Sequence, residues 1–140
     1  ARDTRGAVGR IDIAGLGVSA IIREGTDDRT LRRAVGHVPG TALPGGAGNI
    51  AIAGHRDTFF SPLKRIRAGD RIDIRTPDGD FSYIVSDTRV VAPTDVSVLA
   101  PTPETTLTLI TCYPFNFLGT APDRFIVRAE KVDSVPAADR

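Results

Sequence analysis

The sequence has very little cysteine and almost no net charge. Cys112 is the only cysteine among 140 residues, so an intramolecular disulfide is excluded, and the cysteine count does not fix the redox compartment. The formal net charge is +1, and the 16 arginines and two lysines are scattered along the chain. This charge balance does not favour a nucleic acid or a membrane surface as a partner.

Several motifs and segments are absent as well. There is no signal peptide and no apolar run long enough to cross a bilayer. No GxGxxG or P-loop sequence occurs, and no Cys/His cluster has the spacing of metal ligands. The sequence therefore predicts neither a nucleotide cofactor nor a metal site.

What remains is a composition of 41% hydrophobic and 25% charged residues, which is ordinary for a globular protein. Short β-rich segments alternate with Gly, Pro and Asp, and a "PDGD" turn joins two of them in a hairpin pattern. We count about eight strands with short helices between them, which predicts an antiparallel or mixed barrel or sandwich. One domain is expected over residues 1–140, with its core at about 9–132 and a loose tail at 133–140.

Three shorter segments carry local predictions. Apolar residues at helical spacing predict a helix over 59–66 that Gly69 ends. The segment "HVPGTALPGGAG" is predicted to be a loop because of its glycines and prolines. The segment "PTDVSVLAP" predicts a short helical turn, with Thr94 as a cap before Asp95.

Cys112 follows the alternating segment "TLTLIT" and directly precedes Tyr113 and Pro114. A free cysteine commonly fills a protein core as a small hydrophobic residue. Proline cannot continue a central strand, however, because it has no N–H, so this strand ends beside the cysteine. A cysteine at a strand end can be exposed and reactive. The pattern alone leaves both interpretations open, a core residue and a nucleophile.

Two histidines are available to pair with that thiol. His55 follows the short apolar strand "NIAIAG", and Gly54 is expected to let the backbone turn so that the imidazole projects from the strand edge. A histidine of a surface loop is the alternative. His37 lies in the predicted Gly/Pro loop, where a hydrogen bond to nearby backbone explains it better than catalysis does.

Arg124 begins the last predicted strand, twelve residues beyond Cys112. If the intervening loop folds back, antiparallel pairing brings Arg124 beside the cysteine, where a guanidinium can donate hydrogen bonds to an oxyanion. Arg124 is equally explained as one more surface arginine among 16. Arg128 shares the strand face four residues later and competes for the same role.

Four segments, in order, resemble the catalytic domain of sortases, the cysteine transpeptidases that anchor proteins to bacterial surfaces. They are "GHVPGTALPGGAGNIAIAGHRD", "APTDVSVLAP", "TLTLITC" and "DRFIV". The resemblance runs from about Gly9 to Val132, and the extended "TCYPFNFLGTAPDRFIV" looks most like class D sortases. It implies a mainly β fold, a sortase-like eight-stranded β-barrel with short helices.

The resemblance assigns roles to residues at matching positions. His55 matches the catalytic histidine, Cys112 the nucleophile and Arg124 the catalytic arginine. Thr111 matches a threonine of the family's active-site motif, and Ala42 is predicted to help bind the substrate. Some sortases bind calcium through acidic loop residues, but no full ligand set is matched here, so no cofactor is expected.

The resemblance also implies a reaction and partners. Sortases cleave an LPXTG-type sorting signal after its threonine through a Cys thioacyl intermediate, and pass the protein to an amine such as a cell-wall precursor or a pilin lysine. The family carries an N-terminal membrane anchor and works at the extracytoplasmic face of the bacterial membrane. This sequence lacks that segment. We expect it to have been removed, and the alternative is that the chain departs from the family there.

Two other functions remain as alternatives. One is a different cell-wall cysteine peptidase or transpeptidase, although the "SHGC"-like motif of L,D-transpeptidases is absent. The other is a non-catalytic β-barrel that binds surface peptides. A thiol-reactive mimic of the sorting signal separates them, because a binding module forms no covalent adduct.

Overall fold

The structure is a computed structural model, and it describes residues 7–55, 59–113 and 123–132. For Cys112 and Tyr113 it describes the backbone alone. The predicted tail at 133–140 lies outside the described residues.

The described residues form eight strands and four short helices. The strands are β1 (Ala7–Ile13), β2 (Val18–Glu24), β3 (Val35–His37), β4 (Asn49–Ala53), β5 (Arg71–Thr76), β6 (Gly79–Val91), β7 (Thr106–Tyr113) and β8 (Asp123–Val132). The helices are α1 (Asp28–Leu31) and three 3-10 helices at Ala14–Leu16, Ser61–Arg65 and Val96–Leu99. The "PDGD" hairpin is confirmed, because β5 ends at Thr76 and β6 begins at Gly79.

The strands close into a single barrel in the order β1-β2-β3-β4-β7-β8-β6-β5. Most neighbours are antiparallel, but β2 pairs with β3, and β4 with β7, in parallel. The barrel closes where β1 pairs with β5. This architecture confirms the predicted eight-stranded β-barrel with short helices.

Alternation along the strands fills the inside of the barrel with aliphatic side chains. In β7, for example, Leu107 and Leu109 are fully buried. Burial of each such side chain contributes about 1.5–3 kcal/mol. The core cluster consists of Ile11, Ile13, Val18, Ala20, Ile22, Val35, Ile50, Ile52, Phe60, Leu63, Ile66, Ile72, Ile74, Tyr83, Val85, Leu107, Leu109, Val127 and Ala129.

The predicted helix over 59–66 is a shorter 3-10 helix, Ser61–Arg65. Phe60, Leu63 and Ile66 are all buried, and their spacing of three residues matches the 3.0 residues per turn of a 3-10 helix. Pro62 lies in its first turn, and Ile66 is already extended with ψ 149°. The apolar pattern therefore located the buried face correctly, but the helix is shorter than predicted.

Two further local predictions are corrected. His37 ends the strand β3 instead of lying in the Gly/Pro loop. The cap of the Val96–Leu99 helix is Asp95, whose carboxylate accepts a hydrogen bond from the N–H of Ser97, and not Thr94. The hydrogen bond from the hydroxyl of Ser97, together with the one from its N–H, holds the pKa of Asp95 below its ordinary value.

Candidate active site

Cys112 and Arg124 lie directly opposite each other at one end of the barrel. β7 and β8 are antiparallel, and their register pairs Cys112 with Arg124. The same register pairs Thr108 with Arg128, four residues further along. The sequence prediction that antiparallel strands bring Arg124 beside the cysteine is met in the backbone.

His55 reaches the same height from the neighbouring strand. β4 is parallel to β7, and Ala53 is level with Ile110. The N–H of Gly54 then donates to the carbonyl of Ile110 at 3.0 Å, so the two chains still run together beyond the last pair. His55 is two residues past Ala53, just as Cys112 is two residues past Ile110. The ends of three adjacent strands thus supply the three candidate catalytic residues.

Gly54 is required at this position by packing. A Cβ built on Gly54 lies 2.6 Å from the ring of the buried Phe60, closer than any real contact allows. Gly54 is not among the glycines with positive φ. The prediction that Gly54 is needed for a turn is therefore wrong. Glycine is needed because the backbone passes close to the ring of Phe60, directly before His55.

We expect Gly54→Ala to lower the free energy of unfolding by about 1–3 kcal/mol, because the extra methyl group overpacks the Phe60 ring. Chemical denaturation measures this difference. Gly15→Ala is the control, since a Cβ there meets nothing within 4 Å and Gly15 has no positive φ. Equal stability of the two variants would contradict the close contact.

The imidazole of His55 is about one-third exposed and faces a carboxylate of α1. Its Nε2 lies 3.6 Å from Oδ1 of Asp28, whose side chain is 79% exposed. Asp27 caps α1 by accepting a hydrogen bond from the N–H of Thr30, and Asp28 is the first residue of that helix. The sequence marked these residues only as the acidic start of a helix, because their proximity to His55 depends on the tertiary fold. An ion pair this exposed contributes little to stability.

The two competing arginines have different environments. Arg124 is half-buried and its Nη1 donates to the carbonyl of Asp123 at 3.1 Å. Arg128 lies under the Val96–Leu99 helix and its Nη2 donates to the carbonyl of Val98 at 3.1 Å. The Nε of Arg128 is buried without a hydrogen-bond partner among the described residues, and burial lowers the pKa of this guanidinium. The guanidinium of Arg128 is therefore already hydrogen-bonded to the Val96–Leu99 helix. Arg128 lies four residues from Arg124, the residue opposite Cys112.

Thr111 faces the barrel core, on the same side of β7 as Leu107 and Leu109. It is 2% exposed, and its hydroxyl has no hydrogen-bond partner within the described part of the chain. A substrate-binding role for Thr111 stays a prediction. Thr111 directly precedes Cys112 on β7.

Ala42 lies at the other end of β4 from His55. Its N–H donates to the carbonyl of Asn49 at 2.9 Å, and it packs against the core cluster. His55 is six residues beyond Asn49 along the chain, which corresponds to about 20 Å of extended backbone. The structure does not bring Ala42 together with the three strand-end residues, and its role in binding also stays a prediction.

His37 is 2% exposed, and its ring connects three backbone segments. Nδ1 lies 2.8 Å from a carboxylate oxygen of Glu24, and Nε2 lies 2.8 Å from the carbonyl oxygen of Ala42. The hydroxyl of Thr41 is also 3.1 Å from Nε2. A hydrogen bond to nearby backbone was the preferred explanation of His37, and the structure contains that bond.

The described residues lack two kinds of feature. No three or more of their His, Cys, Asp and Glu side chains form a group that could hold a metal ion. None of the helices in the described ranges is long and apolar enough to span a bilayer.

Comparison with known proteins identifies relatives across most of the chain. A family model described as Sortase domain matches residues 11–132. Sortase D of Bacillus subtilis is 34% identical over 131 residues, covering 93% of this chain and 66% of that protein. The chain therefore spans just under two thirds of that relative's length.

Solved structures agree with the sequence comparison. The Sortase D5 transpeptidase of Clostridium perfringens superposes with a TM-score of 0.83 at 34% identity, covering 91% of this chain and 79% of that one. Sortase A from Corynebacterium diphtheriae gives a TM-score of 0.86 at 36% identity, covering 95% and 64%. A Sortase D and a class D structure are both among these relatives, which confirms the predicted resemblance. With the family model matched from the second half of β1 to the end of β8, the chain belongs to the sortase family.

Proposed function

We propose that this chain is the catalytic domain of a cysteine transpeptidase that cleaves an LPXTG-type sorting signal after threonine and transfers the protein to an amine. The observation that carries the proposal is the convergence of three strand ends. Cys112 is paired with Arg124, and His55 stands at the same height on the neighbouring parallel strand.

The first half-reaction forms a thioester. The Cys112 thiolate attacks the carbonyl carbon of the signal's threonine, and the tetrahedral intermediate collapses as the peptide C–N bond breaks. His55 gives a proton to the leaving amine as general acid. In the second half-reaction the acceptor amine attacks the thioester, His55 takes its proton, and the Cys112 thiolate leaves.

The cationic neighbours have two effects in this scheme. A free cysteine has a pKa of about 8.5, so a protonated histidine or an arginine close by raises the fraction of thiolate. The guanidinium of Arg124 donates hydrogen bonds to the oxyanion that develops on the threonine carbonyl. Its position opposite Cys112 in the ladder supports this role.

The proposed partners are a surface protein bearing the sorting signal and an amine from a cell-wall precursor or a pilin. The proposed location is the extracytoplasmic face of a bacterial membrane, as for a cell-surface enzyme of this family. We further propose that no cofactor is needed, since side chains supply the nucleophile, the acid–base group and the oxyanion donor.

The experiment is incubation of the protein with a small library of LPXTG-like peptides and candidate amines, with products identified by mass spectrometry. Cleavage after threonine and amine-dependent ligation are the expected products, and a chelator should leave their rates unchanged. Cleavage at another bond, or peptide binding without any thioester adduct, would overturn the proposal.

Arg124→Ala is expected to lower kcat by about 10²–10³, because one oxyanion donor is lost. Arg128→Ala should keep most of kcat and instead lower the thermal unfolding temperature, since the Val98 carbonyl loses one of its two donors. Steady-state kinetics and thermal unfolding of both variants measure the difference. If kcat falls in Arg128→Ala and survives in Arg124→Ala, the assignment moves from position 124 to position 128.

A further inference from the structure

The segment between β6 and β7 is fastened to the outside of the barrel by one buried amide. Asn49, the first residue of β4, is 3% exposed. Its Nδ2 donates to the carbonyl of Val98 at 2.7 Å and to that of Ala100 at 3.0 Å. Both carbonyls belong to the last turn and the C-cap of the Val96–Leu99 helix. The side-chain amide of Asn49 therefore holds the C-terminal end of this helix against the barrel.

The acceptor side of the same amide is used too. Thr108 of β7 is fully buried, and its hydroxyl donates to Oδ1 of Asn49 at 2.6 Å. The two carbonyls require the NH₂ group and the hydroxyl requires the oxygen, so the orientation of the amide is fixed. Arg128 of β8 adds a second donor to the Val98 carbonyl at 3.1 Å. Side chains from three adjacent strands thus converge on one helix end.

The other end of the helix is held by its own cap. The carboxylate of Asp95 accepts from the N–H of Ser97 at 3.0 Å and from its hydroxyl. At the C-cap, where Asn49 binds the carbonyl of Ala100, the N–H of Ala100 donates to the carbonyl of Ser97 at 3.1 Å. Burying a polar group is costly unless all its hydrogen bonds are made, so a fully paired amide here defines one position for the helix.

The distance from Thr108, beside this helix, to Cys112 can be estimated along β7. Thr108 precedes Cys112 by four residues on the same strand, which is about 13 Å. Four extended residues of a peptide, ending in the acylated threonine, also span about 13 Å. β7 runs from Thr106 to Tyr113, so the stretch of this strand from Cys112 back to Thr108 has the length of those four peptide residues.

We propose that Asn49, acting with Thr108, is a positioning residue that holds the Val96–Leu99 helix where the N-terminal half of the sorting signal binds. The inference rests on the proposed function. The amide does not touch the reacting atoms, so its contribution appears in KM, while the chemistry at Cys112 is left nearly unchanged.

The test compares Asn49→Ala and Thr108→Val with Thr108→Ser, which keeps the hydroxyl. We expect KM for the peptide to rise about tenfold in Asn49→Ala, which removes three hydrogen bonds, and less in Thr108→Val, which removes one. The kcat, and the rate at which a small alkylating agent modifies Cys112, should stay within about threefold, and Thr108→Ser should behave like the wild type. Ile74→Val is a control for lost stability, since Ile74 is buried in β5, on which no candidate site residue lies.

Amide hydrogen exchange of the same variants gives a readout that needs no peptide. The amide of Ala100 should lose protection in Asn49→Ala but not in Ile74→Val. Unchanged protection, or a KM change that Ile74→Val reproduces, would overturn the inference even where the wild type is active. If the wild type cleaves no sorting signal, the proposed function falls and the positioning role falls with it, whereas the exchange data still show whether Asn49 holds the helix.

Discussion

Replacement of Cys112 by alanine is expected to abolish both peptide cleavage and transfer, by about 10⁴-fold or more. The chain has one cysteine, so no second thiol can form the thioester. Without that intermediate the acceptor amine has no activated carbonyl to attack, and both activities disappear together. Cys112→Ser should be nearly as inactive, because a hydroxyl is a much weaker nucleophile than a thiolate.

The single thiol also permits an independent check on the unaltered protein. A small alkylating agent has only Cys112 to modify among cysteines, so inactivation should follow the modified fraction one to one. Thermal unfolding of Cys112→Ala verifies that the barrel remains folded. Turnover by the alanine variant, or by fully alkylated protein, would remove the nucleophile from position 112 and end the transpeptidase proposal.

The barrel was predictable from sequence because its strands carry a clear two-residue alternation. In β7 the buried Leu107 and Leu109 alternate with polar positions, and the turn before Gly79 has the residues that hairpins require. β3 was missed because it has only three residues. Its identity as a strand comes from pairing with β2 and β4, which no local pattern records.

The site shows a similar division. An antiparallel return from β7 to β8 was predictable, and it places Arg124 opposite Cys112. The approach of Asp28 to His55 was not, because it joins residues 27 positions apart through tertiary packing. The sequence also did not predict a role for Asn49, since an asparagine before an apolar run is equally common in a turn. Its importance follows from the two carbonyls and the hydroxyl that it binds.

The two histidines should respond to substitution in opposite ways. His55→Ala is expected to lower kcat by about 10²–10⁴ with little change in stability, because a general acid–base group is lost from a partly exposed strand end. His37→Ala should keep most of kcat but cost about 1–3 kcal/mol of folding free energy. It leaves the partly buried carbonyl of Ala42 without the imidazole and removes the partner of Glu24.

Chemical denaturation and steady-state kinetics on both variants distinguish the two roles, and the pairing serves as its own control. A histidine that acts on a proton affects the rate, whereas one that connects β2 to the 38–48 segment affects stability. Equal losses of kcat in the two variants would show that the position of His55 beside β7 does not select it as the acid–base group. A loss of stability confined to His55→Ala would reverse the assignment, because the hydrogen bonds of His37 would then contribute nothing to the fold.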